Sequence, residues 1–191
     1  MLEGSTVVAR TRALRGVRIG AVVAVGLAAA FVAWLFVRPQ TDASPTAQSG
    51  AAAAPRLVSG PRLRAIAAAV RYPIYWASPR RGMRYELTQS GSRTYVRYLP
   101  GNVRAGDPRP RFLAIGTYAD RNAFAQTRAA GRRRGAVIVD LGGGGIAVYS
   151  RQHPTSVYFA YPGSGVQVEV YDPSADTARA LVLRHRVVPI R

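Results

Sequence analysis

The sequence contains neither cysteine nor lysine among its 191 residues. Without cysteine, disulfide bonds and thiolate metal sites are excluded. Without lysine, all 27 basic residues are arginine, whose planar guanidinium stays charged and makes bidentate contacts with carboxylates and phosphates. The missing lysine, beside abundant Ala, Gly, Pro and Val, indicates the codon bias of a GC-rich bacterial genome.

Acidic residues are also scarce. The chain has nine of them against 27 arginines, a formal net charge of +18, and after residue 55 the balance is 22 arginines against seven acids, or +15. Such a surplus favours association with polyanions such as lipid headgroups, wall polymers or nucleic acid. The alternative is that arginine simply replaces lysine as the solubilising charge, which explains the residue type but not the imbalance of sign.

The chain also has little that could perform catalysis. Its two histidines, His153 and His185, lie far apart and lack the spacing of metal ligands. The seven acids after residue 55 are scattered, with no pair placed for acid–base chemistry. We therefore expect a protein that is not an enzyme and that uses no metal and no cofactor.

Residues Ile19–Val37 form an uncharged apolar run of nineteen residues between Arg18 and Arg38. As a helix rising about 1.5 Å per residue, this run matches the roughly 30 Å hydrocarbon core of a bilayer. It is longer than the apolar core of a signal peptide, which favours a retained anchor over a cleaved signal. Because more arginines precede the run than follow it, we expect a cytoplasmic N-terminus and a C-terminal part outside the cell membrane.

These features divide the chain into a cytoplasmic tail (1–18), a transmembrane helix (19–37), a flexible linker (38–57) and an extracytoplasmic domain (58–191). Small residues four apart in the apolar run favour a homodimer through the transmembrane helix; they are Gly20 with Ala24 and Gly26 with Ala30. A composition rich in Ala and Gly produces the same spacing by chance, so both interpretations stay open.

The outer domain is expected to be α+β, with a mainly antiparallel sheet and about three helices. Periodicity and end signals predict helices over Pro61–Arg71, Asp120–Ala130 and Asp172–Arg184, with Asp120 capping the second and Pro173 at the first position of the third. Alternation predicts strands over Ile74–Ala77, Arg84–Gln89, Thr94–Leu99, Phe112–Tyr118, Ala136–Asp140, Ile146–Ser150, Ser156–Tyr161 and Val166–Tyr171. In the last strand Gln167 and Glu169 alternate with valines, which predicts that one sheet face is exposed to solvent.

The two halves of the domain resemble each other. Tyrosine-rich strands end at Pro100-Gly101 and Pro162-Gly163, and later strands end at Tyr118 and Tyr171 just before a helix. We therefore hypothesise two similar units packed with pseudo-twofold symmetry, although recurring β and α elements also match by chance. A different strand order or direction in the two halves would exclude the hypothesis.

A run of four glycines, Gly142–Gly145, follows Val139-Asp140-Leu141. The segment resembles the phosphate-binding turn of the actin/Hsp70-type ATPases, in which backbone N–H groups approach the phosphates. That fold needs a longer chain and a second motif, neither of which is present. We therefore interpret the run as a hairpin turn in which glycine adopts positive φ.

Aromatic residues and arginines are closely interleaved between residues 72 and 98. A guanidinium over an aromatic ring can hold an anion, a sugar or a protein partner, whereas Tyr and Trp also pack half-buried on ordinary sheets. The candidate surface for a ligand or partner consists of Tyr75, Trp76, Arg80, Arg81, Arg84, Tyr85, Arg97 and Arg109. Asp107 is expected to pair with Arg109 or Arg111, and Arg132–Arg134 to form a solvated helix end or, facing a membrane, to bind phosphates.

Four segments behind the apolar run carry a resemblance: Tyr72–Trp76, Tyr85–Thr88, Tyr95–Leu99 and Gly106–Pro110. They resemble uncharacterised single-pass membrane proteins of high-GC actinobacteria. The resemblance implies the localisation and the extent of the outer domain, and it brings no activity, cofactor or catalytic residue.

We therefore expect a non-enzymatic, membrane-anchored envelope protein whose basic outer domain binds a protein partner or an anionic polymer or lipid surface. In a first alternative the topology is inverted and the cytoplasmic domain binds nucleic acid, a partner that the predicted orientation disfavours. In a second alternative the domain is a small hydrolase, which would need a deep pocket around a convergent acid such as Glu86 or Asp107.

Overall fold

A computed structural model describes residues 53–191 of the chain. This part forms one α+β domain with a mainly antiparallel sheet and three helices, which confirms the prediction for the outer domain. The apolar run Ile19–Val37, with its pairs of small residues, lies outside the described residues. No helix within residues 53–191 is long and apolar enough to cross a membrane.

The domain contains ten strands and three helices within the described residues. The helices are α1 (Gly60–Ala69), α2 (Ala123–Gly131) and α3 (Ala175–Leu183). The strands are β1 (Arg56–Val58), β2 (Tyr75–Trp76), β3 (Met83–Ser90), β4 (Arg93–Pro100), β5 (Ala114–Ala119), β6 (Ala136–Gly142), β7 (Gly145–Ser150), β8 (Ser156–Ala160), β9 (Val166–Tyr171) and β10 (Val188–Pro189).

Eight strands form one antiparallel sheet in the order β1-β3-β4-β5-β9-β8-β7-β6, and β2 pairs with β10. Strands β5 and β9 are central, with Ala114 opposite Tyr171 and Ala119 opposite Val166. From β5 the first half continues outward through β4, β3 and β1, and from β9 the second half continues outward through β8, β7 and β6. Each central strand is followed in the chain by a helix, α2 after β5 and α3 after β9. Within the main sheet, strand order and direction are therefore the same in the two halves. The connections differ, since α1 and β2 lie between β1 and β3 whereas a hairpin joins β6 to β7, and the predicted strand Ile74–Ala77 pairs with β10 outside the main sheet.

One face of the sheet carries the main apolar core. Val96, Ile115 and Val170 lie side by side on β4, β5 and β9 and are inaccessible to solvent. Helices α1 and α3 cover this face through Leu63 and Leu181, together with the small β2–β10 sheet. Burying each large apolar side chain contributes about 1.5–3 kcal/mol.

The other face of the sheet is covered by α2 and by the loop between β4 and β5. Ala130 of α2 packs with Val148 and Tyr158 above strands β7 and β8. In the loop, Val103 and Phe112 pack on Leu99, near the end of β4. Both faces are therefore covered over much of the sheet.

The expectation of a solvent-exposed sheet face around Gln167 and Glu169 is wrong. Both side chains are only 3% exposed because α2 packs over this face of β9. The amide of Gln167 donates a hydrogen bond to Thr127 Oγ1 of α2 at 2.7 Å. The alternation along β9 therefore separates two buried faces, one apolar and one polar.

The starts of two helices differ from the prediction. Helix α2 begins at Ala123 with Asn122 as its cap, while Asp120 accepts a hydrogen bond from the Asn122 amide at 2.7 Å in the turn before it. Helix α3 begins after Ser174, whose hydroxyl accepts from the Thr177 amide at 3.2 Å, so Pro173 precedes the cap. In both cases a residue between the predicted cap and the helix takes the capping position.

The glycine run forms the turn of the β6–β7 hairpin. Gly142, Gly143 and Gly144 have φ angles of 73°, 57° and 75°, which residues with a side chain rarely adopt. The hairpin interpretation is thus confirmed. At the start of the domain, the Ala53 amide donates to Gln89 O at 2.9 Å, and β1 adds the end of the predicted linker to the edge of the sheet.

Candidate functional site

Arginines gather at one end of the sheet. Because the strands are antiparallel, the segments before β3 and β6 and the loops β4–β5 and β7–β8 all lie at the same end. We call this the arginine-rich end, defined by Arg80, Arg81, Arg84, Arg104, Arg109, Arg111, Arg132, Arg133, Arg134 and Arg151. The loops there contain two acids, Asp107 and Asp172.

Hydrogen bonds connect these loops on the β3 side of the sheet. Arg84 of β3 donates from Nη2 to Val103 O in the β4–β5 loop at 2.6 Å. The far end of that loop accepts a hydrogen bond at Pro110 O from the Tyr171 hydroxyl, at the end of β9. The long β4–β5 loop is therefore fastened to the strands on both sides of it.

Similar contacts continue towards the β6 side. The Asp172 amide donates to Thr155 O at 3.1 Å, which joins the end of β9 to the β7–β8 loop. The Arg151 amide donates to Gly135 O at 2.8 Å, which joins that loop to the turn between α2 and β6. The loops of the arginine-rich end thus form one contiguous surface rather than separate projections.

A buried ion pair positions the β4–β5 loop. Arg97 Nη1 lies 2.7 Å from Glu86 Oε1, with the side chains 14% and 1% exposed. Glu86 also accepts a hydrogen bond from the Gly106 amide, while Arg97 Nη2 donates to Asp107 O at 2.8 Å. The Arg97 guanidinium lies 5.4 Å from the ring of Phe112. Arg97 was a candidate for binding, and the structure gives it this internal partner.

Asp107 organises the outer part of the same loop. Its carboxylate accepts hydrogen bonds from the Arg109 side chain and lies 4.0 Å from Arg111 Nη2, so the predicted pairing is confirmed for both arginines. Hydrogen bonds from Arg109 hold the pKa of Asp107 well below its ordinary value. The charge of Arg109 is therefore partly neutralised within the loop.

The three aromatic candidates lie in the core instead of at the surface. Tyr75, Trp76 and Tyr85 are 4–9% exposed. Tyr75 makes an edge contact with Phe159 at 5.7 Å, and Tyr85 makes one with Tyr98 at 5.3 Å. This is the ordinary packing of aromatic residues on a sheet, and it leaves the candidate surface to the arginines.

The remaining candidates, Arg80, Arg81 and Arg84, lie together just before and at the start of β3. Arg80 is half-buried with its guanidinium 5.5 Å from the ring of Tyr98, while Arg81 and Arg84 are exposed. Sequence reasoning did not include Arg104 and Arg151 among the candidates. The order of the predicted hairpins could have identified them, because every second connection of an antiparallel sheet lies at the same end of the sheet.

Several of these arginines have no acidic partner among residues 53–191. The ion pairs formed within this part of the chain engage Arg97, Arg109, Arg111 and Arg179. Among the exposed arginines of the arginine-rich end, Arg84 binds the Val103 carbonyl. The others that form none of these ion pairs are Arg81, Arg104, Arg132, Arg134 and Arg151. Their charges are free to attract an external anion.

A second cluster surrounds Glu169 under α2. Its carboxylate accepts hydrogen bonds from the hydroxyls of Tyr118, Tyr158 and Ser156, the last two at 2.7 and 2.9 Å. Burial raises the pKa of Glu169 above its ordinary value, and burial together with the nearby carboxylate raises the pKa of both tyrosines. Gly116, directly opposite Glu169, leaves room for this packing, since a Cβ there would lie 2.8 Å from Tyr118 Oη.

The acids named for a hydrolase have other partners. Glu86 and Asp107 both bind arginines, and the oxygens of Glu169 are engaged by three hydroxyls. Within residues 53–191, no three His, Asp or Glu side chains gather in a way that could hold a metal ion.

No protein-family model matches the chain, and neither a curated protein nor a solved structure is found that matches it.

Proposed function

We propose that the domain is a non-enzymatic binding module of the cell envelope that holds a polyanion at its arginine-rich end. The observation that carries the proposal is the gathering of ten arginines at one end of the sheet, on a contiguous surface whose acids are Asp107, Asp172 and, in the first turn of α3, Asp176. Guanidinium groups at such a surface create a positive potential and make bidentate hydrogen bonds with phosphate or carboxylate groups.

The predicted anchor Ile19–Val37 fits this function. The chain reaches the domain at Ala53, whose amide binds Gln89 near the end of β3, opposite the arginine-rich end. With the anchor in the membrane, the domain therefore presents its arginines on the side opposite to the point where its tether arrives.

The architecture itself supports a second proposal, that the halves are a repeated unit. Tyr118 is the residue before the last of β5 and Tyr171 is the last of β9, and their strand partners are Arg93 and Ser156. With Arg93 matched to Ser156, Tyr95 of β4 corresponds to Tyr158 of β8, and Tyr98 corresponds to Tyr161, which follows the end of β8. Pro100 then corresponds to Gly163, so the two Pro-Gly pairs are offset by one residue. Once Tyr118 is matched to Tyr171, two further pairs of tyrosines coincide, which strand order alone does not require.

The salt dependence of binding tests the proposed function. If the five exposed, unpaired arginines each neutralise one phosphate, the affinity for a flexible polyanion falls about 100-fold between about 50 and about 200 mM salt. The measurement is fluorescence anisotropy of labelled polyphosphate with the full-length protein in a neutral detergent. An affinity that does not change over this range would contradict the proposal.

A further inference from the structure

We propose that the arginine-rich end recognises an extended polymer charged along a phosphate backbone and lacking stacking bases, with both sides of the surface in contact with one chain. This inference rests on the proposed function and adds to it the length and the chemistry of the partner.

The length follows from the sheet. Arg81 leads into β3 and Arg134 leads into β6, and these strands are separated by β4, β5, β9, β8 and β7. Six intervals of about 4.8 Å place the two arginines' strands about 29 Å apart. An anion much shorter than that distance can contact one side of the surface but not both.

The charges along this distance form two clusters. The first, on the β3 side, contains Arg80, Arg81, Arg84 and Arg104, and the second, on the β6 side, contains Arg132, Arg133, Arg134 and Arg151. Between the clusters lie Arg109 and Arg111, both paired with Asp107, and Asp172 at the end of β9, whose carboxylate accepts from the Ser174 amide at 2.9 Å. Linking two such subsites through one polymer raises affinity by about 10²–10⁴ over a single contact, without any new interaction.

The chemistry follows from what the surface offers. Guanidinium groups match phosphate in charge and in fork geometry. Proteins that bind single-stranded nucleic acid add exposed aromatic rings on which bases stack. Tyr85 and Tyr98, the aromatic residues next to the first cluster, are only 5% and 2% exposed. Two half-buried tyrosines at this end have partners of their own: the Arg179 guanidinium lies 5.5 Å from the Tyr149 ring, and the Tyr171 hydroxyl donates to Pro110 O. The surface therefore fits a polymer read through its phosphates, such as a polyphosphate or a polyol phosphate.

Paired variants of the full-length protein in a neutral detergent test this inference. Arg81→Gln/Arg104→Gln removes two charges from the first cluster, and Arg132→Gln/Arg134→Gln removes two from the second. Arg121→Gln/Arg186→Gln is the matched control, since both residues are exposed and Arg121 lies in the β5–α2 turn at the opposite end of the sheet. Circular dichroism establishes that each variant is folded before binding is measured.

Binding is measured with long-chain polyphosphate, with triphosphate and with single-stranded DNA carrying as many phosphates as the long polymer. We expect the long polymer to bind at least 100-fold more tightly than triphosphate. Each cluster variant should lose at least about 30-fold in affinity for the long polymer, and the control less than about 3-fold.

Different outcomes overturn different statements. Equal losses in the control and in the cluster variants would show diffuse attraction and would overturn the arginine-rich end as the binding surface, in this inference and in the proposed function alike. Equal affinities for triphosphate and the long polymer would overturn the bridging of two clusters. If DNA binds more tightly than long-chain polyphosphate, or if phosphatidylglycerol vesicles bind more tightly to protein held in neutral nanodiscs, the inference of a base-free phosphate polymer as partner is overturned. Failure of all polyanions to bind at low salt would overturn the proposed function itself.

Discussion

Replacing Glu169 by glutamine tests the buried polar cluster and its dependence on pH. Burial raises the pKa of Glu169 above its ordinary value of 4.5, so the folded protein binds this proton more tightly than the unfolded chain does. The resulting stability is fully present below about pH 4.5 and is lost as pH rises through the folded-state pKa. Glutamine carries no charge, so the variant does not undergo this loss.

The contacts of Glu169 set the size of the effect. Glutamine keeps an acceptor oxygen for Tyr158 and Ser156, and only the Tyr118 hydroxyl must turn to accept instead of donate. The change of one hydrogen bond costs about 1 kcal/mol at acid pH. Glu169→Ala instead leaves two buried tyrosine hydroxyls without their acceptor, which costs about 2–6 kcal/mol out of the roughly 5–15 kcal/mol typical of a domain.

Urea denaturation of the full-length protein in a neutral detergent, followed by far-ultraviolet circular dichroism from about pH 4 to about pH 8, measures these differences. The free energy of unfolding of Glu169→Gln should improve relative to wild type as pH rises, while Glu169→Ala stays less stable than Glu169→Gln throughout. Asp176→Asn, an exposed acid on α3, is the control. A Glu169→Gln difference that stays constant with pH would refute the reasoning, because Glu169 would then have the same pKa in both states.

Two further predictions concern packing on the same sheet face. Glu86→Gln leaves the Arg97 guanidinium buried without its counter-charge, so urea denaturation should show a free energy of unfolding lower by about 3 kcal/mol. Asp176→Asn breaks the exposed ion pair with Arg179 and should lower it by less than about 1 kcal/mol. Equal losses in the two variants would contradict a role of the Glu86–Arg97 pair in positioning the loop. Gly116→Ala places a Cβ 2.8 Å from Tyr118 Oη and should cost about 1–3 kcal/mol, seen as a lower melting temperature. Gly101→Ala, where no atom lies within 4 Å of the added Cβ, should be neutral, and an equally mild effect of Gly116→Ala would contradict the close packing.

The hairpins of the sheet could be predicted because they depend on local residues. The turn at Gly91 sets the register of β3 on β4, and with it the pairing of Glu86 opposite Arg97. A buried ion pair at that position was therefore within reach of the sequence. This ion pair holds the thirteen-residue β4–β5 loop, which folds back over the strands. It does so through contacts with Gly106 and Asp107, which the periodicity of the sequence does not indicate.

The fate of Glu169 could not be predicted in this way. An alternating strand with glutamine and glutamate on one side is typical of a solvated face. Only the tertiary position of α2, with Thr127 above Gln167, and two tyrosines distant in sequence turn that face into an interior. The aromatic candidates show the reverse case, since residues predicted to lie at a binding surface are buried in the core. An aromatic ring beside an arginine has the same sequence pattern in either place.

The central strand pair has a consequence for how such a sheet can diverge. When Tyr118 is matched to Tyr171, the residues that face each other at the centre are Gly116 and Glu169. Two identical chains meeting about a twofold axis would have to place the same residue there twice, and two carboxyls in that interior would repel each other. Within a single chain the two positions are inherited separately, so one can supply the acid and the other the space that its tyrosine partners need.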